Sequence, residues 1–330
     1  MKHVCIVLIS VVLFSCQKDN TSRPQSLANL SFDSMEIISA NIPQGDYRDV
    51  AFINPSTGLA VSWEGKIIKT RDGGHNWSFV NIPVLNDAMF EKIQLTSDLV
   101  GYVFGQYYPD PASNTPSIAL LKTTDGGENW SLLNTAPRGY DMHFFDDQNG
   151  FLSGWDLYKT TDGGNTWTTS MQGSNLNKIN FRNRNEGFAS TKGAFYKTMN
   201  GGQSWTRYAT AWQDNLVYET YFTPTKSYAV QYAFPCLIDL DNPVTGLHMD
   251  ICQPRKFFFL DDDKCIMAGI ICGGQVGYGY ITMTNDRWAT AVSQTFWGTG
   301  AMSAIGKIDD KRIMIMGNYW SNTRVLIYHL

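Results

Sequence analysis

The sequence predicts an all-β fold, a seven-bladed β-propeller of four-stranded antiparallel blades over residues 34–330. Three observations predict it: a glycine-rich segment occurs four times, polar turns separate apolar runs at seven places, and the intervals match the length of a propeller blade. The 29 glycines and 10 tryptophans agree with many tight turns and with aromatic packing between small sheets.

The repeated segment is nine residues long and starts at Lys69, Lys122, Lys159 and Lys197; the third copy reads Lys-Thr-Thr-Asp-Gly-Gly-Asn-Thr-Trp. Its Asp side chain can accept hydrogen bonds from backbone N–H groups just ahead of it, and the paired glycines can adopt positive φ. The Trp can bury its ring against the blade. Each copy therefore predicts a turn between strands, with structural roles for Asp72, Trp77, Asp125, Trp130, Asp162, Trp167, Asn200 and Trp205.

A second set of turns gives the number of blades. Seven polar turns between apolar runs lie near Ser56, Ser97, Gln148, Asn185, Pro224, Asp262 and Asp309. Residues 34–330 then give about 42 residues per blade, a usual length. The chain ends after a third strand, so we expect the segment from Met35 to Ile42 to supply the fourth strand of the last blade and close the ring.

The N-terminus predicts export. Residues 1–16 read as a lipoprotein signal peptide, because the apolar run from Val4 to Phe14 is too short to span a bilayer and ends in a lipobox-like Leu-Phe-Ser-Cys16. Cys16 would be acylated; ordinary secretion with cleavage elsewhere is the alternative. Residues 17–33 read as a flexible tether. The expected location is the bacterial cell envelope, with membrane contact through the lipid anchor only.

Four further cysteines allow disulfides in an oxidising compartment. Cys236 and Cys252 lie on either side of a predicted turn and could form a disulfide across a hairpin, or they could be buried small hydrophobic residues. Cys265 and Cys272 are seven residues apart, so in one strand they would point to opposite faces.

Charge and motifs exclude several classes of function. The net charge is −4 without basic clusters, which excludes a nucleic-acid surface. Five scattered histidines give no zinc spacing, and no phosphate-binding glycine loop occurs, so we expect no metal and no cofactor. A monomer is expected.

The repeated segment resembles the Asp-box, or BNR repeat, with the pattern Ser/Thr-x-Asp-x-Gly-x-Thr-Trp. The variant with Lys-Thr before the Asp-Gly-Gly is most similar to propellers of the photosystem II stability/assembly-factor type, over roughly residues 45–210. The sialidase-like superfamily is a more distant resemblance: its Arg-Ile-Pro motif is missing, since Arg48 leads into Asp49 and Val50. The box implies a fold and leaves the function open.

The face opposite the boxes is the expected ligand surface. The turns that join the first to the second strand and the third to the fourth share the box face, and the remaining loops share the other one. About thirteen extra residues in the second blade, from Gln106 to Ser117, extend that other face. The candidate ligand residues are Trp63, Tyr107, Tyr108, Trp155, Trp212, Trp297, Arg48 and Arg138, and the alternative for the aromatic ones is packing between blades.

Two functions follow from this site. The first is a non-catalytic, extracytoplasmic binding or assembly module for a glycan, a peptide or a protein partner. The second is a glycan-active hydrolase or lyase, which needs two acidic groups flanking a cleft. No such pair stands out in the sequence, so no catalytic residue is assigned.

Overall fold

The computed structural model describes residues 30–38, 41–110, 112, 115–208, 217–231, 236–241, 246–248, 253–271, 278–286, 288–296, 300–319 and 322–330. Within them the chain forms 28 strands, arranged as seven antiparallel sheets of four. The one short helical turn among them is a 3-10 turn, Phe32–Ser34, which precedes the first strand, β1 (Met35–Ile38). The predicted seven-bladed propeller is confirmed.

The first four blades follow one another along the chain, each running from the centre outward through strands A, B, C and D. The first blade consists of β2 (Tyr47–Phe52), β3 (Gly58–Ser62), β4 (Ile67–Thr70) and β5 (Trp77–Phe79). The second consists of β6 (Met89–Leu95), β7 (Gly101–Tyr107), β8 (Ser117–Thr123) and β9 (Ser131–Leu132). The third consists of β10 (Asp141–Phe144), β11 (Gly150–Ser153), β12 (Leu157–Thr160) and β13 (Thr168–Met171). The fourth consists of β14 (Lys178–Phe181), β15 (Gly187–Thr191), β16 (Ala194–Thr198) and β17 (Thr206–Tyr208).

The last three blades complete the ring. The fifth consists of β18 (Val217–Phe222), β19 (Ser227–Gln231), β20 (Cys236–Asp239) and β21 (Gly246–His248). The sixth consists of β22 (Gln253–Phe259), β23 (Cys265–Ile271), β24 (Tyr278–Thr284) and β25 (Val292–Phe296). The seventh takes three strands from the C-terminal end of the sequence: β26 (Met302–Asp309), β27 (Arg312–Tyr319) and β28 (Asn322–His329).

The fourth strand of the seventh blade is β1, as the sequence predicts. It pairs antiparallel with β28 along its whole length, from Met35 opposite Tyr328 to Ile38 opposite Val325. Leu30 just before it is buried against the sixth and seventh blades, and its N–H donates to Asn285 Oδ1 at 2.6 Å. The two ends of the propeller therefore share one sheet, in which β1 covers the outer edge of β28.

The core of the molecule lies between the blades. Seven clusters of buried hydrophobic side chains separate neighbouring sheets among the described residues, one for each interface. Between the second and third blades, for example, Tyr102 stacks on Phe144 with ring centroids 3.6 Å apart. Burial of side chains of this size stabilises the fold by roughly 1.5–3 kcal/mol each, so the interfaces hold the ring together.

The four glycine-rich segments form the turns between strands C and D of the first four blades. In the first, Asp72 Oδ1 accepts from the backbone N–H groups of His75 and Asn76, at 3.1 and 2.9 Å. Gly73 and Gly74 have positive φ, and the Gly73 N–H donates to the Ser56 carbonyl in the A–B turn. The C–D turn and the A–B turn of one blade are thereby tied together on one face.

The tryptophans that end these segments are alike in position and differ in hydrogen bonding. The indole N–H groups of Trp77 and Trp167 donate to the carbonyls of Gly74 and Gly164. The corresponding N–H groups of Trp130 and Trp205 are buried without a hydrogen-bond partner.

The sixth blade contains a fifth turn of the same kind. Asp286 accepts from the backbone N–H and the hydroxyl of Thr290, at 2.8 and 2.7 Å, and Thr284 Oγ1 accepts from the Trp288 N–H. Trp288 occupies the position of the second glycine and has a φ of 68°. The hydrogen bonds of the turn are therefore kept without either glycine.

Candidate functional site

An open cavity of about 520 Å³ lies at the centre of the propeller. Most of its lining residues come from the beginnings of the A strands, and Trp63, Phe104 and Gln106 come from B strands or B–C loops. The ends of the A strands lead instead into the A–B turns that are tied to the glycine-rich turns. We call this cavity the central basin. It opens on the face opposite the glycine-rich turns, the face on which the sequence predicts a ligand.

The deeper level of the basin is a ring of equivalent A-strand positions. Strand register aligns these positions, because each residue lies opposite the same position of its B strand. We call them the inner ring: Asp49, Lys92, Asp141, Lys178, Glu219, Lys256 and Ala304. Six charges alternate in sign around the channel, and the seventh blade contributes a methyl group instead.

Direct contacts tie the inner ring together. Lys92 Nζ lies 2.9 Å from Asp141 Oδ1, while Asp141 Oδ2 accepts from the Ile179 N–H of the next blade at 3.1 Å. Asp49 Oδ2 accepts in the same way from the Ile93 N–H at 3.1 Å. Both aspartates thus bond to the backbone of the next blade, and Asp141 is also held by its ion pair with the previous blade.

The charges of the ring set its protonation. Burial raises the pKa of Asp141, but the ammonium groups of Lys92 and Lys178 outweigh that effect and leave the pKa below its ordinary value. Burial lowers the pKa of Lys256, whereas the carboxylates of Asp49 and Glu219 raise it, and the pKa ends above its ordinary value. Both side chains stay charged at neutral pH.

The upper level of the basin is produced largely by β-bulges. In the first, second, sixth and seventh blades the residue just before the inner ring is bulged out of the A–B ladder, and in the third and fourth blades it precedes the strand. A bulge re-aims the side chain of the extra residue. We call these residues the outer ring: Arg48, Glu91, Tyr140, Asn177, Arg255 and Ser303.

Aromatic side chains stand at the rim of the basin. Trp63, in the B–C loop of the first blade, is 39% exposed, and Tyr140 is 48% exposed. The Arg48 guanidinium lies 4.7 Å from the centre of the Trp63 ring, and its Nη2 donates to Asp46 Oδ2 at 2.5 Å. These contacts hold Trp63 against the mouth of the cavity.

The residues singled out by sequence fall into three groups. Arg48 and Trp63 line the basin. Four others lie elsewhere: Trp155 is exposed in the B–C loop of the third blade, Arg138 is exposed before β10, Tyr107 ends β7 against the cluster between the first and second blades, and Tyr108 is half-buried just beyond β7. Trp212, Trp297, Cys16 and Cys252 lie outside the described residues.

The predicted insertion in the second blade is partly strand. β7 and β8 are seven residues each, and they stay paired up to Tyr107 opposite Ser117. The loop between them therefore begins only at Tyr108, because the extra residues continue the hairpin before they turn. In the fifth blade, Cys236 lies opposite His248 in the ladder, and a disulfide to Cys252 stays a prediction.

Sequence reasoning missed most of the basin. The inner ring was not predicted, although a signal for it exists: a charged residue occurs near the start of six of the seven A strands, and its sign alternates from blade to blade. An alignment of the seven A strands on the A–B turns that follow them would have revealed the inner ring.

Asp141 offers the basin a fixed negative charge rather than a proton donor. Asp141, almost completely buried, already accepts three hydrogen bonds, from Lys92, Met142 and Ile179. A general acid needs a raised pKa, whereas the pKa of Asp141 is lowered.

Among the described residues no group of three or more His, Cys, Asp or Glu side chains is arranged to hold a metal. The same part of the chain contains no helix long and apolar enough to cross a bilayer.

Comparison with known proteins agrees with the repeat pattern. Residues 28–139 match the family model described as "Photosynthesis system II assembly factor YCF48". The resemblance to photosystem II assembly-factor propellers is confirmed. A curated relative, "Photosystem II assembly lipoprotein Ycf48" of Synechococcus sp. (strain CC9902), is 31% identical over 91 residues, which is 27% of this chain. That match spans about a quarter of the relative's length (24%).

Solved structures extend the likeness to the whole propeller. "YCF48 bound to D1 peptide" superposes with a TM-score of 0.65 at 18% identity and covers 92% of this chain and 100% of its own. "YCF48 from Cyanidioschyzon merolae" has a TM-score of 0.63 at 17% identity, covering 89% and 98%. A GH74 xyloglucanase from Xanthomonas campestris has a TM-score of 0.62 at 11% identity, covering 86% of this chain and 52% of its own. At these identities the likeness shows the fold alone.

Proposed function

We propose that this protein is a binding and assembly module that holds an extended segment of a partner protein in the central basin. The observation that carries the proposal is the basin itself: an open cavity with exposed aromatic side chains at its rim and charges of both signs within it. Aromatic rims supply contact area, and polar groups at fixed positions supply orientation.

The chemistry of the basin favours a peptide over a sugar. Backbone amides and charged side chains of a peptide can pair with the polar and charged side chains of the outer ring, while sugars mainly need hydroxyl-binding groups on a flat aromatic platform. A solved propeller of the same fold is named as bound to a D1 peptide, which supports a peptide as the class of ligand. The relative from Synechococcus is named an assembly lipoprotein, which supports assembly rather than catalysis as the role.

Selection from a library of random linear peptides on the intact protein tests this proposal. Peptides that bind should lose about tenfold or more in affinity when Trp63 or Tyr140 is replaced by Ala, because a lost anchor of this kind costs about 1.4 kcal/mol or more. Phe79→Ala is the control, since Phe79 is also an exposed aromatic residue (58% exposed) but lies on the outermost strand of the first blade.

The outcome distinguishes the candidates. Peptides that bind Trp63→Ala and Phe79→Ala proteins equally well would place the ligand outside the basin and contradict the proposal. Binding of glycans without any peptide, measured on a glycan array in parallel, would favour the carbohydrate alternative.

We also propose that Cys16 carries a lipid and anchors the protein in a bacterial cell envelope, with residues 17–29 as part of the tether. The lipobox-like sequence and the name of the Synechococcus relative support it. Mass spectrometry of the mature N-terminus should show an acylated cysteine, and Cys16→Ala should release the protein from the membrane fraction. An unmodified N-terminus at another residue would contradict the anchor.

A further inference from the structure

The seventh blade breaks the pattern of the basin. The A strand of this blade lies between those of the sixth and first blades, and it contributes Ala304 to the inner ring and Ser303 to the outer ring. Both side chains are small, whereas the flanking outer-ring residues are Arg255 and Arg48. We call the space over Ser303, between the two arginines, the seventh-blade gap.

Two buried donors face this part of the basin without a partner. Ser303 is 4% exposed, and its hydroxyl makes no hydrogen bond. Arg48 donates from Nη2 to Asp46, but its buried Nε–H has no hydrogen-bond partner. A buried polar group left unsatisfied is destabilising, so each of these donors gains from a ligand atom that accepts a hydrogen bond.

The chemistry of the gap selects the ligand atom. A guanidinium Nε–H can only donate, and a serine hydroxyl can donate while it rotates to suit. Bonds from charged donors to an anionic oxygen are about twice as strong as bonds between neutral groups. Arg255 adds a second positive charge to the lining of the same cavity. The set therefore fits an anionic acceptor better than a neutral amide or an ammonium group.

We infer that the seventh-blade gap is an anion subsite that takes a carboxylate of the bound peptide, with Ser303 Oγ and Arg48 Nε as its hydrogen-bond donors. This inference rests on the proposed peptide binding in the basin. The carboxylate can come from an Asp or Glu side chain or from the C-terminus of the peptide, since both present the same two oxygens.

Peptides selected on the wild-type protein provide the test. Each is synthesised in three forms: as selected, with Asp and Glu replaced by Asn and Gln, and with an amidated C-terminus. Fluorescence anisotropy then gives the affinity of each form for wild type, for Ser303→Ala and for a control, Ser190→Ala. Ser190 is a suitable control because it is also buried without a hydrogen-bond partner, but it does not line the basin.

One of the two carboxylate-free forms should bind wild type about tenfold or more weakly, and which form does so identifies the source of the carboxylate. Removal of that carboxylate should weaken binding to Ser303→Ala clearly less than it weakens binding to wild type. It should weaken binding to Ser190→Ala as much as it weakens binding to wild type. A second variant, Ser303→Asp, fills the gap with a fixed carboxylate and should weaken the acidic form more than the neutral one. Thermal melting of each variant establishes that it is folded.

Equal affinity of all three peptide forms for wild type would overturn the subsite while leaving peptide binding in the basin intact. Equal effects of Ser303→Ala and Ser190→Ala would overturn it as well. Failure of every peptide to depend on Trp63 and Tyr140 would instead remove the proposed function itself.

Discussion

Lys256 Nζ lies 3.3 Å from Asp49 Oδ1, although the two residues belong to the sixth and first blades and the seventh lies between them. The reason is the odd number of blades. Signs that alternate around a ring of seven cannot close without placing two like charges side by side. Ala304 at the seventh position removes the conflict, and the long Lys256 side chain extends past Ala304 to Asp49.

This arrangement predicts that Lys256 and Asp49 are strongly coupled. We expect a double-mutant cycle with Lys256→Met and Asp49→Asn to give a coupling free energy of about 1–3 kcal/mol in urea unfolding, because both groups are largely buried. Asp49→Asn keeps an oxygen for the Ile93 N–H, so the cycle isolates the charge. The exposed pair Lys307 and Asp310, 2.6 Å apart, is the control and should couple by at most about 0.5 kcal/mol. Equal coupling free energies in the two cycles would contradict the prediction that burial in the inner ring strengthens the Lys256–Asp49 interaction.

His143 predicts a loss of stability in mild acid. Burial, with a smaller contribution from Lys92, lowers its pKa from 6.5 to about 3, so the folded protein keeps the imidazole neutral where the unfolded chain protonates it. Stability from this group is therefore full above pH 6.5 and falls as the pH drops toward 3, by about 1.4 kcal/mol per pH unit. Unfolding free energies of wild type and His143→Gln between pH 7 and 4.5 check this. The variant should show a flatter profile, and parallel profiles would rule the prediction out.

The glycine-rich turns predict a second loss at lower pH. Hydrogen bonds from the Thr166 side chain and backbone lower the pKa of Asp162 from 3.8 to about 2, and Asp72 and Asp125 also fall to about 2. A lowered carboxyl pKa gives stability that is present above pH 4 and lost as the pH falls toward 2. Asn200 holds the fourth turn without a titrating group, through bonds to Ser204.

Two opposite substitutions therefore test the turns. Asp162→Asn should reduce the difference in urea midpoint between pH 4.5 and pH 2.5, and Asn200→Asp should increase it. Each change is a single atom replacement at an exposed turn, so packing stays constant. A change in the same direction for both variants would show that these carboxylates do not control the acid response.

The sequence predicted the parts of this fold that depend on local chemistry. A Thr, an Asp and two glycines at fixed spacing form their hydrogen bonds within one turn, so Asp72 or Asp162 can be assigned without knowing the rest of the molecule. The corresponding turn of the sixth blade was harder to recognise, because Trp288 stands where the other turns have a glycine.

The basin could not be predicted in the same way, since it depends on strand register and on bulges. Whether Arg48 or Asp49 points deeper into the channel is decided by one extra residue in β2, which a sequence pattern of period two does not reveal. Trp63 was found because an aromatic residue in a loop is visible in the sequence. Ser303 was missed because its importance comes only from burial without a partner.

Packing of the turns against the neighbouring blade gives the last prediction. Gly127, in the glycine-rich turn of the second blade, has a φ of 83°, and a Cβ added there would lie 2.6 Å from Leu59 Cδ1 in the first blade. Gly173 has a φ of 58°, and a Cβ there would meet nothing within 4 Å. Both changes to Ala carry the strain of a left-handed backbone, about 1 kcal/mol, but only Gly127→Ala adds a clash inside a packed interface. We therefore expect Gly127→Ala to lower the free energy of unfolding by about 2–4 kcal/mol and Gly173→Ala by about 1 kcal/mol. Urea titrations of the two variants measure the difference. Equal losses in the free energy of unfolding would mean that the glycine-rich turn does not pack tightly against the neighbouring blade.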